Sequence, residues 1–182
     1  MTARLTVLSG PSGVGKGTVV GYLRRHHPQI WVSTSVTTRP PRAEETDGIE
    51  YHFLSERQFT RLVAEEALLE HASYAGHRYG TPRSPVQHRV AGGLPALLEI
   101  DLQGARQVRE QMPSARLVFL APPSLAELER RLVARGTESP EVVRQRLQTA
   151  KEELAAVGEF DDVVVNSSVP EAAERLVALL AV

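Results

Sequence analysis

Leu5-Thr6-Val7-Leu8-Ser9-Gly10-Pro11-Ser12-Gly13-Val14-Gly15-Lys16-Gly17-Thr18 is the stretch that decides the fold. Leu5 to Leu8 is short, apolar and partly β-branched, and Ser9-Gly10-Pro11 bounds it, so it reads as a buried strand. From Lys16 to Arg25 the pattern is helical and stops at His26-His27-Pro28. The turn between them follows G-x-x-x-x-G-K-[ST], a template for gripping phosphate. Its glycines allow a tight turn, so backbone N–H groups and the positive end of the following helix can face an anion. Lys16 adds a point charge beside the outer phosphates. The plain alternative is an ordinary glycine-rich turn. One position departs from the template: Gly17 follows the lysine and Thr18 comes next, which shifts the candidate metal-ligating hydroxyl by one residue.

The rest of the chain repeats the same alternation. Trp31 to Ser35 reads as a second strand, and Thr37 to Gly48, with Pro40 and Pro41, as a loop. Ser55 is a candidate N-cap for a helix reaching about Glu66. Leu68 to Tyr79 reads as extended and broken at Gly76, with a short helix after Pro82. Leu97-Leu98-Glu99-Ile100 is an apolar strand ending at Asp101, followed by a helix from Gln103 to Gln111. Arg116 to Leu120 is a further strand. Ser124 then caps a helix carrying Leu125, Leu128 and Leu132. Pro140 is placed as the first residue of a long helix to about Val157, and Val163 to Val165 and Glu171 to Ala181 close the chain as strand and helix. Strands alternating with helices predict an α/β fold, with a parallel sheet flanked by helices on both faces.

Bulk composition narrows the function classes. At 182 residues the chain supports one domain with a proper core. Its net charge of −1 argues against a general nucleic-acid binder, so anion binding must come from local placement of basic residues. With no cysteine there are no disulfides, thiolate metal sites or thiol nucleophiles. The six histidines show no metal-ligand spacing. No apolar run is long enough for a signal peptide or a membrane span, so the expectation is a cytoplasmic protein without a membrane partner.

A second motif lies in Ser35-Val36-Thr37-Thr38-Arg39-Pro40-Pro41-Arg42 and continues through Asp47-Gly48-Ile49-Glu50-Tyr51-His52-Phe53. Two arginines three apart, with a tyrosine nine residues on, suit a small phosphomonoester, because guanidinium binds phosphate bidentately and a phenol adds a hydrogen bond. These residues resemble the T-T-R-x-x-R…G-x-x-Y-x-F signature of the guanylate kinase family, and Tyr79-Gly80-Thr81-Pro82 resembles its Y-G-[ST] segment. With the loop at 10–18, Asp101 and an arginine-rich late helix, the resemblance covers nearly the whole chain.

The resemblance implies a P-loop NTPase-type sheet with a small GMP-binding insertion at 35–81 and a helical lid at about 134–157. The core would then be 1–34, 82–133 and 158–182. It implies transfer of the γ-phosphate of ATP to GMP and dGMP, with Mg2+ as cofactor, in purine nucleotide metabolism. ATP would lie on Gly10, Pro11, Ser12, Gly13, Val14, Gly15, Lys16, Gly17 and Thr18, with Asn166 near the adenine and Thr18 near the metal. Arg39, Arg42, Tyr51 and Tyr79 would hold the GMP phosphate. Glu70 and Ser35 would read the base, with Gly80, Thr81 and Asp101 beside them.

The base logic stands without the resemblance. Guanine offers adjacent N1–H and N2–H donors that one carboxylate can accept, whereas adenine presents an acceptor instead. The alternatives stay open. Glu70 reads also as a surface glutamate on an edge strand. Asp101 reads as a metal holder through water, an orienter of arginines and acceptor, or a helix cap. Asn166 reads as a turn former. Among the lid arginines, the resemblance makes Arg135 and Arg146 the best candidates for the moving phosphoryl group and Arg144 a weaker one. Arg130 and Arg131 read as solvated residues or partners of Glu127 and Glu129.

Overall fold

The computed structural model describes residues 5–134 and 140–180. Strand β1 (Leu5–Ser9) is buried at all five positions, which is why its sequence is apolar without alternation. It lies at the centre of a parallel five-stranded sheet. Its neighbours are β7 (Ala96–Glu99) and β8 (Arg116–Ala121), with β2 (Trp31–Val32) outside β7 and β9 (Asp162–Val165) outside β8.

Helices cover both faces. One face packs Leu8, Leu97, Val118 and Leu120 against α1 (Lys16–His26), α5 (Leu125–Ala134) and α7 (Val169–Leu180), through Val19, Leu23, Leu128, Ala172 and Leu176. The other packs Val7, Leu98 and Leu117 against Val86 of α3 (Arg83–Ala91) and Ala105 and Val108 of α4 (Leu102–Gln111). The expected parallel sheet between helical layers is therefore present. Among the described residues no helix is long and apolar enough to cross a membrane.

Residues 35–82 build a second sheet in the order β4-β3-β6-β5, from β3 (Ser35–Thr37), β4 (Tyr51–Phe53), β5 (Leu68–Tyr74) and β6 (His77–Pro82). It has its own small core of Val36, Phe59 and Leu68, capped by α2 (Glu56–Ala64). Ser55 starts α2 as expected: its hydroxyl accepts Gln58 N–H at 3.3 Å, and Gln58 Oε1 accepts Ser55 N–H at 2.8 Å.

Two local expectations change. Trp31 to Ser35 is not one strand. Trp31 and Val32 pair with β7, Ser33 N–H still reaches Leu97 O at 2.9 Å, and the chain then crosses to begin β3 in the other sheet. Tyr51–Phe53 is a strand that no periodicity announces, because three residues are too few to show one. Its place is fixed by Asp47, whose Oδ1 accepts Phe53 N–H at 2.9 Å, and by pairing with β3. The break expected at Gly76 is a tight turn in which Ala75 and Gly76 both adopt positive φ, 50° and 78°.

Candidate active site

The turn between β1 and α1 is shaped by glycine where nothing else fits. Gly10 has φ 149°, and a Cβ there would lie 2.3 Å from Leu120 O of β8. Gly15, at φ 99°, caps α1 in the left-handed region. Lys16 turns its ammonium end inward, onto the carbonyls of Gly10 and, at 3.3 Å, Pro11. Burial pushes the Lys16 pKa down, while Glu99, Glu153 and Asp101 pull it up.

Those three acids converge on Lys16 from different elements. Glu99 is the last residue of β7, and burial pushes its carboxyl up while Lys16 and Arg24 lower it. Its field also reaches Tyr51, whose phenol is pushed up to about 12, first by burial and then by Glu99. Tyr51 therefore stays a hydroxyl donor at neutral pH. Asp101 caps α4, accepting Gly104 N–H at 2.8 Å, so the capping role is occupied. Glu153 comes from α6 (Pro140–Ala155), and its Oε2 accepts Ser12 N–H at 3.0 Å.

Ser12 joins three parts of the molecule. Besides Glu153, its hydroxyl accepts from Arg146 Nη2 at 3.0 Å and lies 3.4 Å from the hydroxyl of Tyr74 at the tip of β5. Arg146 is thus on the loop. Arg144 pairs with Glu141 at the surface, and Arg135 lies outside the described residues.

A cleft of about 520 Å3 opens beside the loop. Gly13, Gly15 and Thr18 form one wall; Arg131, Asn166 and Ser167 form the other. Asn166 is buried and donates its amide to Val14 O at 2.8 Å, which ties the turn after β9 to the loop. Arg131 donates to Val14 O and Asn166 O, at 3.2 and 3.1 Å, as well as to Glu127. Its neighbour Arg130 is exposed and pairs with Glu127. Val14 itself is fully buried, and Gly17 and Thr18 are exposed on the first turn of α1.

The second sheet presents the other half. Glu70 on β5 is 3% exposed, and Thr81 on β6 donates its hydroxyl to Glu70 Oε1 at 2.6 Å. Burial pushes the Glu70 carboxyl up to about 7 against the help from Thr81, with Asp101 adding to the rise. Gly104 of α4 leaves the space, since a Cβ there would lie 2.4 Å from Glu70 Oε2. Gly80 does the same for the strands: a Cβ would meet Leu68 Cδ1 at 2.9 Å.

Arg39, Tyr51 and Tyr79 cluster, the two rings 6.0 Å apart and the guanidinium 5.5 Å from the Tyr51 centroid. Arg39 is held by Glu45 through bonds of 2.7 and 2.9 Å, and that pairing lowers the Glu45 pKa. Arg42 is not drawn in: its side chain is 75% exposed and its nearest acid is Glu45 at 3.9 Å. Ser35 opens β3 opposite Tyr51.

Four site residues escaped the sequence reading. Glu99 had a signal, because period-two alternation puts it on the same side of its strand as Asp101. Glu45 and Arg131 had none that separates them from Glu44 and Arg130. Glu153 meets the loop across 141 residues, and no local pattern carries that. Among the described residues no three acids or histidines are grouped to hold a metal by themselves.

Comparison with known proteins gives the family. The guanylate kinase family model matches residues 2–181. A guanylate kinase of Thermobifida fusca (strain YX) is 66% identical over 178 residues, 98% of this chain and 91% of the relative. One of Frankia casuarinae is 63% identical over 176 residues, 97% of this chain and 96% of the relative. The crystal structure of guanylate kinase from Anaplasma phagocytophilum superposes with a TM-score of 0.82 at 34% identity, covering 99% of this chain and 85% of that one. A match of family model, sequence and fold over almost every residue leaves one assignment, and this chain belongs to the guanylate kinase family.

Proposed function

We propose that this kinase moves the γ-phosphate of ATP onto GMP, with the β1–α1 loop as donor cradle and the sheet of residues 35–81 as acceptor platform. The observation that carries the reading is Glu70. A buried carboxylate, held by Thr81 at 2.6 Å and given room by Gly104, is the acceptor that a guanine edge with two adjacent N–H donors requires.

The acceptor phosphate needs no general base, since it is already anionic at neutral pH. Arg39, Tyr51 and Tyr79 aim it, with Arg42 swinging in from solvent and Arg39 exchanging Glu45 for phosphate. Its oxygen bonds to the γ-phosphorus as the bond from that phosphorus to the β–γ bridging oxygen breaks, giving GDP and ADP. Lys16, Arg146 and the lid arginine Arg135 spread the charge on the moving group. Asn166 and Arg131 border the cleft in which the adenosine of ATP fits.

The oxygen donors near Lys16 suit a hard cation such as Mg2+, which keeps several waters and takes only one or two carboxylates. Thr18, Glu99 and Asp101 would hold it beside the triphosphate, and it would supply positive charge against the phosphate oxygens during transfer. We assign 134–157 as the lid, dGMP as a second acceptor, and a cytoplasmic setting where these nucleotides are pooled. The test is ADP release from ATP with GMP, AMP, CMP and UMP as acceptors. Turnover confined to GMP supports the reading, and equal turnover with AMP removes Glu70 from base recognition.

A further inference from the structure

The carboxylate of Glu70 sits on β5, an outer strand of its sheet. An outer strand has backbone groups with no strand partner on one side, and its position is softer for that reason. Here one residue of the core fills the gap. Gln107 of α4 accepts His71 N–H through Oε1 at 3.1 Å and donates through Nε2 to His71 O at 2.8 Å. A single side-chain amide thus pairs with β5 as a neighbouring strand would, at the residue next to Glu70.

The rest of the α4 face is built to match. Asp101, Gly104 and Gln107 recur at three-residue spacing and so share one side of the helix. Gly104 abuts the Glu70 carboxylate, and Asp101 adds its field to it. Leu69, also on β5, packs into the same core as Ala105 and Val108. Register along β5 therefore has two sources, the ladder to β6 and the amide clamp from α4.

We propose that Gln107 is a positioning residue for base selection: its clamp on His71 fixes the strand that carries Glu70, so one carboxylate meets both N–H donors of guanine. This rests on the reading of Glu70 as base acceptor. Two parallel bonds to one planar edge tolerate little displacement, so a loosened strand loses one of them first. The acceptor that reports this is IMP, whose base keeps N1–H and has no 2-amino group. With the strand fixed, GMP gains a bond that IMP lacks; with it loosened, the gain shrinks.

The experiment measures kcat and KM for GMP and IMP, and KM for ATP, in Gln107→Ala, Gln107→Met and Glu70→Gln. Methionine keeps the length and the packing of glutamine but makes neither bond. The expected result is a GMP-over-IMP ratio of kcat/KM lowered about fivefold or more in both Gln107 variants, carried by KM for GMP, with KM for ATP within about twofold. A role confined to stability would lower both acceptors alike and leave the ratio unmoved. An unchanged ratio in the Gln107 variants, with a collapsed ratio in Glu70→Gln, overturns the proposal alone. An unchanged ratio in Glu70→Gln overturns the base-acceptor reading and this inference with it. Failure of both Gln107 variants to fold also overturns it, since the clamp would then serve stability.

Discussion

Glu153 Oε2 accepts the backbone N–H of Ser12 at 3.0 Å, so an acid of helix α6 occupies a donor of the loop that is shaped to hold phosphate. The carboxylate and a triphosphate compete for that donor and for the charge on Lys16. Glu153→Ala should therefore tighten binding of a non-hydrolysable ATP analogue by about fivefold, read by calorimetry without GMP. Weaker binding in the variant would mean that the carboxylate helps to hold nucleotide.

Lys16 turns its ammonium end into the loop, bonding the carbonyls of Gly10 and Pro11. Lys16→Met keeps length and removes the charge. Turnover should fall by about a hundredfold or more, as expected for loss of a charge that acts on the transferring group. GMP binding, followed by fluorescence or calorimetry, should stay within about twofold, since that site lies on the other sheet. Near-normal turnover would remove Lys16 from catalysis.

Gly104→Ala tests the space around Glu70. The new methyl would lie 2.4 Å from Oε2, the far end of a flexible side chain, and so would push the carboxylate aside while the backbone stays in place. KM for GMP should rise by about tenfold, with a change in melting temperature of only a few degrees. An unchanged KM would show that Glu70 has a second usable position.

The pH dependence of Glu70 has two opposite signs. Its carboxyl rises from 4.5 to about 7 on folding, so the folded chain binds the proton more tightly than the unfolded chain between those values. The stability contributed by this group is full below about 4.5 and is lost as pH rises through about 7. On the reading of Glu70 as base acceptor GMP binds the carboxylate form, so KM for GMP should climb as pH falls below about 7, approaching tenfold per unit. In Glu70→Gln that slope should vanish. A wild-type KM that stays flat between about pH 6 and 8, about one unit either side of that value, would refute the link between this proton and GMP.

Much of the core was legible because its signals are local. Leu5 to Leu8 and Arg116 to Leu120 are apolar runs bounded by turn residues, and Ser55 and Ser124 start their helices with the hydroxyl bonds expected of them. The second sheet was harder to read. Its strands β3 and β4 are three residues each, and what holds them is pairing with one another and with β6. The site divides in the same way. Arg39, Tyr51 and Tyr79 stand in spaced motifs that can be matched residue by residue, whereas Glu70 is marked only as a charge after two apolar residues. Glu153 and Gln107 act through contacts 141 and 36 residues away in the chain, and the fold alone brings them together with their partners.

The order β4-β3-β6-β5 sets Tyr51 and Glu70 on opposite margins of one hydrogen-bonded plate. Three strand spacings separate those margins, about 14 Å. On the proposed reading such a plate would act as a calliper: the phenol would meet the phosphate end of a nucleotide and the carboxylate the far edge of its base. Overall length is then selected together with chemistry. A pyrimidine monophosphate, one ring shorter, would touch either jaw without filling both, so on this reading its exclusion would need no residue dedicated to it.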